Sequence, residues 1–234
     1  MASAEKRIRN GRARWYARYR TPDGQQRTRT FARKVDADHF LVEIEASKQR
    51  GSFVDPRRAS PTVGDWADDW LAAQADLSPT TRNRYEGIIT RHIRPRWGRV
   101  RLGDVTHAQV QRWLTGLHLA PASVRKVHRV LSMLLAYAVS DGRLAVNPAA
   151  GVSLPRVQAS DKRFLNHRQV HELADACGKE YRLLVLFLAY TGLRWGEMAA
   201  LRVGRVDFLR RRVLVSESVT PVKGVMTFGP TKGH

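Results

Sequence analysis

Cysteine is nearly absent from this 234-residue sequence, and the single Cys177 rules out an intrachain disulfide. That thiol lies in the helical pattern "VHELADACGKE" and is expected to be a small buried side chain. No Cys/His cluster has zinc-ligand spacing. No apolar run reaches about 18 residues, which argues against a spanning helix. The N-terminal "MASAEKRIRNGRARW" lacks the apolar region of a signal peptide. A soluble cytoplasmic protein with no membrane partner is the expectation. Acidic residues are scarce: 21 Asp plus Glu stand against 41 Lys plus Arg, for a net charge of +20. Low-complexity tracts and internal repeats are also missing, and a hydrophobic fraction of 43% fits a globular chain rather than a disordered one.

The excess of base is the footprint of a polyanion binder. It is distributed rather than gathered in a tail. Residues 1–60 hold 15 basic and 7 acidic groups, residues 61–155 hold 12 and 7, and residues 156–234 hold 14 and 7. Each segment is therefore expected to touch the polyanion.

The periodicity divides the chain into a multidomain α+β protein. Residues 1–60 read as a small β-sheet plus one helix. "RWYARYR" alternates with period two, "TPDGQQ" is a turn, and "RTRTF" returns. "VDADHFLVEIEASKQ" is helical with Val35, Phe40, Leu41 and Ile44 near one side, and Gly51 and Pro56 end it. Arg12, Arg14, Arg18, Arg20, Arg27 and Arg29 crowd the sheet among aromatics, a combination suited to a DNA groove. The competing reading is a charged edge sheet protected from aggregation.

Residues 61–146 read as four helices. Thr62, Ser78 with Pro79, and Thr106 mark their starts, and the second ends before a loop beginning "RPRWGRVRLGDV". In the last helix Val124, Val127, Leu131, Leu134, Leu135 and Ala138 form the core stripe, leaving Arg125, Arg129 and Ser132 opposite. Residues 147–163 read as a linker. Residues 164–234 begin a second globular region, with Asn166 and Gln169 as a capping box. Its apolar helix "EYRLLVLFLAY" is closed by Gly192, and strands joined by a loop at Pro221 to Gly224 follow.

Arg194 falls between two segments that read as buried, with Glu197 three residues on. A guanidinium is always charged and offers only donors. It is either a structural bridge to Glu197 or a phosphate ligand oriented by it. Lys232, after Pro230, reads as the tip of a β-hairpin from which an ammonium can enter a groove.

The segments "TGLRWGEMAAL" and "TKG", with the upstream "RHIRPRWGRVRLGDVT", "VQRWLTGL" and "SVRKVHRVLSMLLAYAVSDGRLAVNPA", resemble a phage-type integrase of the tyrosine recombinase family, nearest in flavour to the actinobacterial-phage branch. The resemblance implies an arm-site DNA-binding domain at 1–60 and a helical core-binding domain at 61–146, with part of a mainly helical catalytic domain at 164–234. It implies that Arg194 binds the scissile phosphate, Glu197 supports it, and Lys232 is the general acid toward the leaving 5′-hydroxyl. Arg14, Arg18, Arg20, Arg27, Arg29, Arg82, Arg125 and Arg129 are the expected DNA contacts. The family uses a tyrosine nucleophile and requires no metal or other cofactor. Its full-length members act as tetramers on double-stranded attachment-type sites, with host or phage accessory DNA-bending proteins as expected partners and the nucleoid as location.

The sequence departs from that pattern. No His-x-x-Arg occurs in it, and the six tyrosines, Tyr16, Tyr19, Tyr85, Tyr137, Tyr181 and Tyr190, all precede Arg194. The expectation is thus a truncated integrase that binds DNA without cleaving it, its 160–234 region less stable than the helical one. The alternative is a non-enzymatic DNA-binding regulator or a prophage remnant, and an RNA-binding reading rests on charge and the Arg/aromatic sheet alone.

Overall fold

The computed structural model describes residues 3–9, 12–22, 24–50, 53–55, 57–158 and 161–231. Gly51, Pro56 and Lys232 lie outside the described residues, and so does the side chain of Arg12. The chain forms two compact units, one of residues 1–73 and 88–156, the other of residues 74–87 and 157–234.

The first unit opens with an antiparallel sheet of β1 (Ser3–Arg9), β2 (Arg12–Arg20) and β3 (Gln26–Phe31), with β2 central. Strand β1 was not legible in advance because "SAEKRIR" has no apolar alternation; it is an edge strand held by backbone pairing to β2. Register puts Ala17 opposite both Ala4 and Arg29, and Tyr19 opposite Arg27. Helix α1 (Lys34–Gln49) covers that face through Ala37, Phe40, Leu41 and Ile44, against Ala17 and Tyr19. Val35, expected on the buried side, is 61% exposed because Ala37 takes that place in the seam.

The helical part contains α2 (Val63–Ala73), α4 (Arg94–Trp97), α5 (His107–Thr115) and α6 (Pro121–Ser140). Thr62 accepts from the Asp65 amide at 3.1 Å, and Thr106 with Gln109 forms a reciprocal cap. The predicted stripe of α6 is buried in full. The Trp66 indole of α2 donates to the Leu134 carbonyl at 3.0 Å, so its apolar bulk is buried without leaving its N–H unpaired.

Helix α3 (Pro79–Ile88), capped by Ser78, does not stop before "RPRWG". It passes through a π-turn at Ile89–Ile93 into α4. Pro95 has no N–H to give to the preceding turn, and the wider turn accommodates that loss. Ile89, Ile93 and Trp97, four residues apart, are buried at 1% exposure or less. The "NPA" stretch after α6 is anchored: the Asn147 amide donates to the Ser132 carbonyl at 3.0 Å, and the Ser153 amide to Gln111 at 2.7 Å.

The second unit includes α7 (His167–Ala176), α8 (Lys179–Thr191) and α9 (Trp195–Ala199). Short strands β4 (Val206–Asp207) and β5 (Arg212–Val213) pair, and β6 (Glu217–Val222) and β7 (Val225–Pro230) form a hairpin. Pro221 lies inside β6 opposite Met226 rather than in the connecting loop. A two-strand ladder has a free edge where its missing donor is harmless. The turn is Lys223–Gly224, with positive φ of 49° and 83° matching the twist of a tight hairpin. Asn166 and Gln169 make their predicted reciprocal cap. Cys177, expected to be buried, is exposed, because it is the C-cap of α7 and lies past the helix's packed face.

Candidate active site and nucleic-acid interface

Arg194 stands at the junction of α8 and α9. Gly192 closes α8 in the left-handed conformation at φ 69°, its amide bonded to the Leu188 carbonyl at 3.0 Å. Arg194 is the N-cap of α9 in extended backbone. Its amide donates to Glu197 Oε2 at 3.0 Å and its Nη1 to Glu197 Oε1 at 2.8 Å. A guanidinium accepts nothing, so only the Glu197 half of a capping box forms. Both carboxylate oxygens are thereby occupied by one arginine, by its backbone and by its side chain.

The pair is asymmetric in burial. The Glu197 side chain is 10% exposed and that of Arg194 is 68% exposed. The Arg194 amide first, and then its guanidinium, hold the Glu197 carboxyl below the usual glutamate range, against the upward push of burial. The other guanidinium donors have no partner among the described residues. An outward fork tethered at one corner can accept a phosphate oxygen without breaking its tether. Gly196 permits this placement: a Cβ there would sit 2.6 Å from the Val219 carbonyl oxygen, so the α9–β6 approach admits no side chain. The flanks differ from expectation, since α8 has no buried residue. Its apolar side chains, Leu183 among them, lie open or half-covered rather than in a sealed core.

The hairpin brings Lys223 to its tip, where Nζ meets Glu86 of α3 at 2.9 Å, a contact that no local sequence pattern signals. Next to Arg194 in sequence, the Tyr190 hydroxyl lies 3.3 Å from both His167 Nδ1 and His171 Nε2. The i, i+4 spacing of those histidines in "NHRQVHEL" was the available signal.

The sheet arginines divide between two faces. Arg14, Arg18 and Arg20 alternate with Ala13, Ala17 and Tyr19 along β2, so they share the face opposite α1 with Tyr16, Thr28 and Thr30. Glu5 on β1 joins them, 3.1 Å from Arg18 and from Arg7. Arg27 and Arg29 belong to the other side. Arg27 is 3.1 Å from Asp55, and Arg29 lies over the Phe31 and Phe40 rings at 5.4 and 4.9 Å. Arg82 is half-buried and donates to the Gln74 carbonyl at 2.9 Å. Arg125 and Arg129 are exposed on α6, with Arg125 also bonded to the Pro155 carbonyl at 2.9 Å. Among the described residues no group of three His, Cys, Asp or Glu side chains is arranged to hold a metal ion. No described helix is long and apolar enough to cross a membrane.

Known proteins match this arrangement. Residues 62–118 match the "Phage integrase, N-terminal SAM-like domain" and residues 163–229 the "Phage integrase family". The chain is 27% identical over 204 residues to a putative prophage phiRv2 integrase of Mycobacterium tuberculosis, covering 83% of this chain and 54% of that protein. It is 27% identical over 181 residues to an integrase of Mycobacterium phage L5, covering 74% and 48%. The chain thus spans about half the length of the curated relatives it matches. Its fold is similar to the Tn1549 transposon integrase in complex with circular intermediate DNA, with a TM-score of 0.65, 18% identity, and coverage of 73% and 59%. It is also similar to a lambda integrase tetramer bound to a Holliday junction, at 0.55, 20%, 98% and 69%. The sheet, the helical region and the helix–hairpin region together have the α+β integrase architecture, and the chain is homologous to the phage integrases of the tyrosine recombinase family.

Proposed function

We propose that this chain takes part in site-specific DNA integration as a tyrosine recombinase, and that these 234 residues bind duplex DNA without cutting it. Residues 1–60 engage arm-type sites, 61–146 close on the core site, 147–163 link, and 164–234 bring Arg194 to the scissile phosphate. The observation that carries this is the exposed Arg194 guanidinium, fixed at 2.8 Å by a buried Glu197. An in-line attack on a phosphodiester builds charge on its non-bridging oxygens, and a preorganised guanidinium stabilises that charge without rearranging. Lys232 is assigned as general acid from its motif. The nucleophile and a His-x-x-Arg pair have no counterpart among these residues, so cleavage is not expected of them. The lambda relative, a tetramer on a Holliday junction, supports tetrameric action on paired sites.

The test uses a duplex attachment-type site carrying a nick that traps covalent intermediates. The chain is expected to retard the duplex and to leave no denaturant-resistant protein–DNA adduct. An adduct, or indifference to duplex DNA, contradicts the proposal. In a form carrying the His-x-x-Arg and tyrosine segments, Arg194→Ala should reduce cleavage at least about a hundredfold while site binding persists.

A further inference from the structure

Within the first unit a cleft of about 620 Å³ opens between the sheet and the helical part. Five of its lining side chains are arginines: Arg27, Arg29, Arg57, Arg101 and Arg143. Asp104 is the one acid on the same wall. Three consecutive β3 residues, Arg27, Thr28 and Arg29, line it, so the cleft follows the free edge of that strand rather than one face of the sheet.

The five guanidinia are not equivalent. Arg27 is 3.1 Å from Asp55. Arg143 is 2.6 Å from Asp141 and stacks over Trp66 at 4.6 Å. Arg29 rests on two phenyl rings. The guanidinium groups of Arg57 and Arg101 are exposed and have no acidic partner among the described residues, although the Arg57 backbone amide donates to Asp55 Oδ1 at 3.0 Å. Tyr19, also on the wall, is 5% exposed. Burial and then the Asp55 carboxylate push its phenol up, while Arg27, Arg29 and Arg57 pull it back, which sets three cations around one buried ring. Like charges in a concave site with low-dielectric walls repel one another and concentrate an anion.

We propose that this arginine-lined cleft is a phosphate-binding site, with Arg57 and Arg101 as its ligands and a phosphodiester of duplex DNA as its occupant. Paired Arg27 and Arg143 form the fixed walls, and the two unpartnered guanidinia supply the free donors. Three consecutive residues of the β3 edge line the cleft, which fits a backbone strand passing along that edge better than a small enclosed anion. The choice of DNA rests on the function proposed above; the anion site itself does not. The contact would join the sheet to the helical part along one DNA backbone.

Arg57→Ala/Arg101→Ala removes both ligands from exposed positions with no ion pair to break, and its unfolding temperature verifies the fold. Duplex binding should weaken about tenfold near 0.1 M salt, and the slope of log Kobs against log salt should become shallower by about 2. Arg57→Lys/Arg101→Lys should keep most of the slope, and Asp104→Asn should tighten binding a few-fold. The second arm measures stabilisation of the wild type and the double alanine variant by inorganic phosphate, without DNA. Phosphate stabilisation lost in the variant while duplex binding is unchanged overturns DNA as occupant. No change in either arm overturns the site. A wild type that ignores duplex DNA but is stabilised by phosphate through Arg57 and Arg101 leaves the anion site standing and defeats the DNA reading instead.

Discussion

The sheet-and-helix unit and the unit that carries Arg194 have similar proportions of apolar sequence but use them to different ends. In the first, Trp97, Leu131, Leu134 and Leu135 are sealed, and α2, α4 and α6 share one interior. In the second, Ala174, Ala200 and Val219 are the buried apolar side chains among the described residues. Phe164, Leu183, Phe208 and Leu209 are each at least 76% exposed. Apolar periodicity says which side of an element avoids water. Burial needs a second layer to lie on it. The second unit is held instead by local devices: a reciprocal cap at Asn166, the Arg194–Glu197 tether, the Lys223–Glu86 pair and the close α9–β6 approach at Gly196.

That contrast can be broken by substitution. Leu134→Ala opens a cavity in the sealed interior and should cost about 2–5 kcal/mol in urea unfolding. Gly196→Ala forces a methyl against the Val219 carbonyl and should cost about 1–3 kcal/mol, read in the second unit's transition. Asn166→Ala removes a cap and should cost about 0.5–2 kcal/mol there. Leu183→Ala, although also a leucine truncation, should stay within about 0.5 kcal/mol because its side chain is already in water. A Leu183→Ala cost equal to that of Leu134→Ala would erase the distinction. Acid sharpens it further. The lowered Glu197 carboxyl contributes stability that is present above the ordinary glutamate range and lost as pH falls through its folded value. Glu197→Gln should therefore flatten the acid limb of the second unit's transition and leave the first unit's unchanged.

Much of the fold was legible where local chemistry and tertiary packing agree. Thr62, Thr106, Asn166 and Gly192 terminate helices as their side chains or conformational freedom dictate, and the α6 stripe is buried as its spacing requires. The errors came from tertiary context. Pro95 continues a helix because a π-turn absorbs it, β1 exists because β2 offers an edge, and Cys177 is exposed because α7 ends there. In the site, the Arg194–Glu197 pair could be read from the spacing of three in "LRWGE". The resemblance already made the arginine the outward, phosphate-facing partner; the near-complete burial of the glutamate beside it is what the structure adds, because no local pattern says which carboxylate an interior will cover. Arg27 and Arg29 looked equivalent to Arg14 and Arg18 until strand register divided them, and Arg57 and Arg101 are about forty residues apart, beyond any local pattern.

We propose that both units present guanidinium groups to a phosphodiester backbone. Equilibrium binding of the intact chain to a duplex attachment-type site, measured from about 50 to 300 mM salt, tests it most directly. A linear fall of log Kobs with log salt, with a slope corresponding to several phosphates, is the predicted result. Binding that ignores salt, or no binding at the lowest salt, would contradict it.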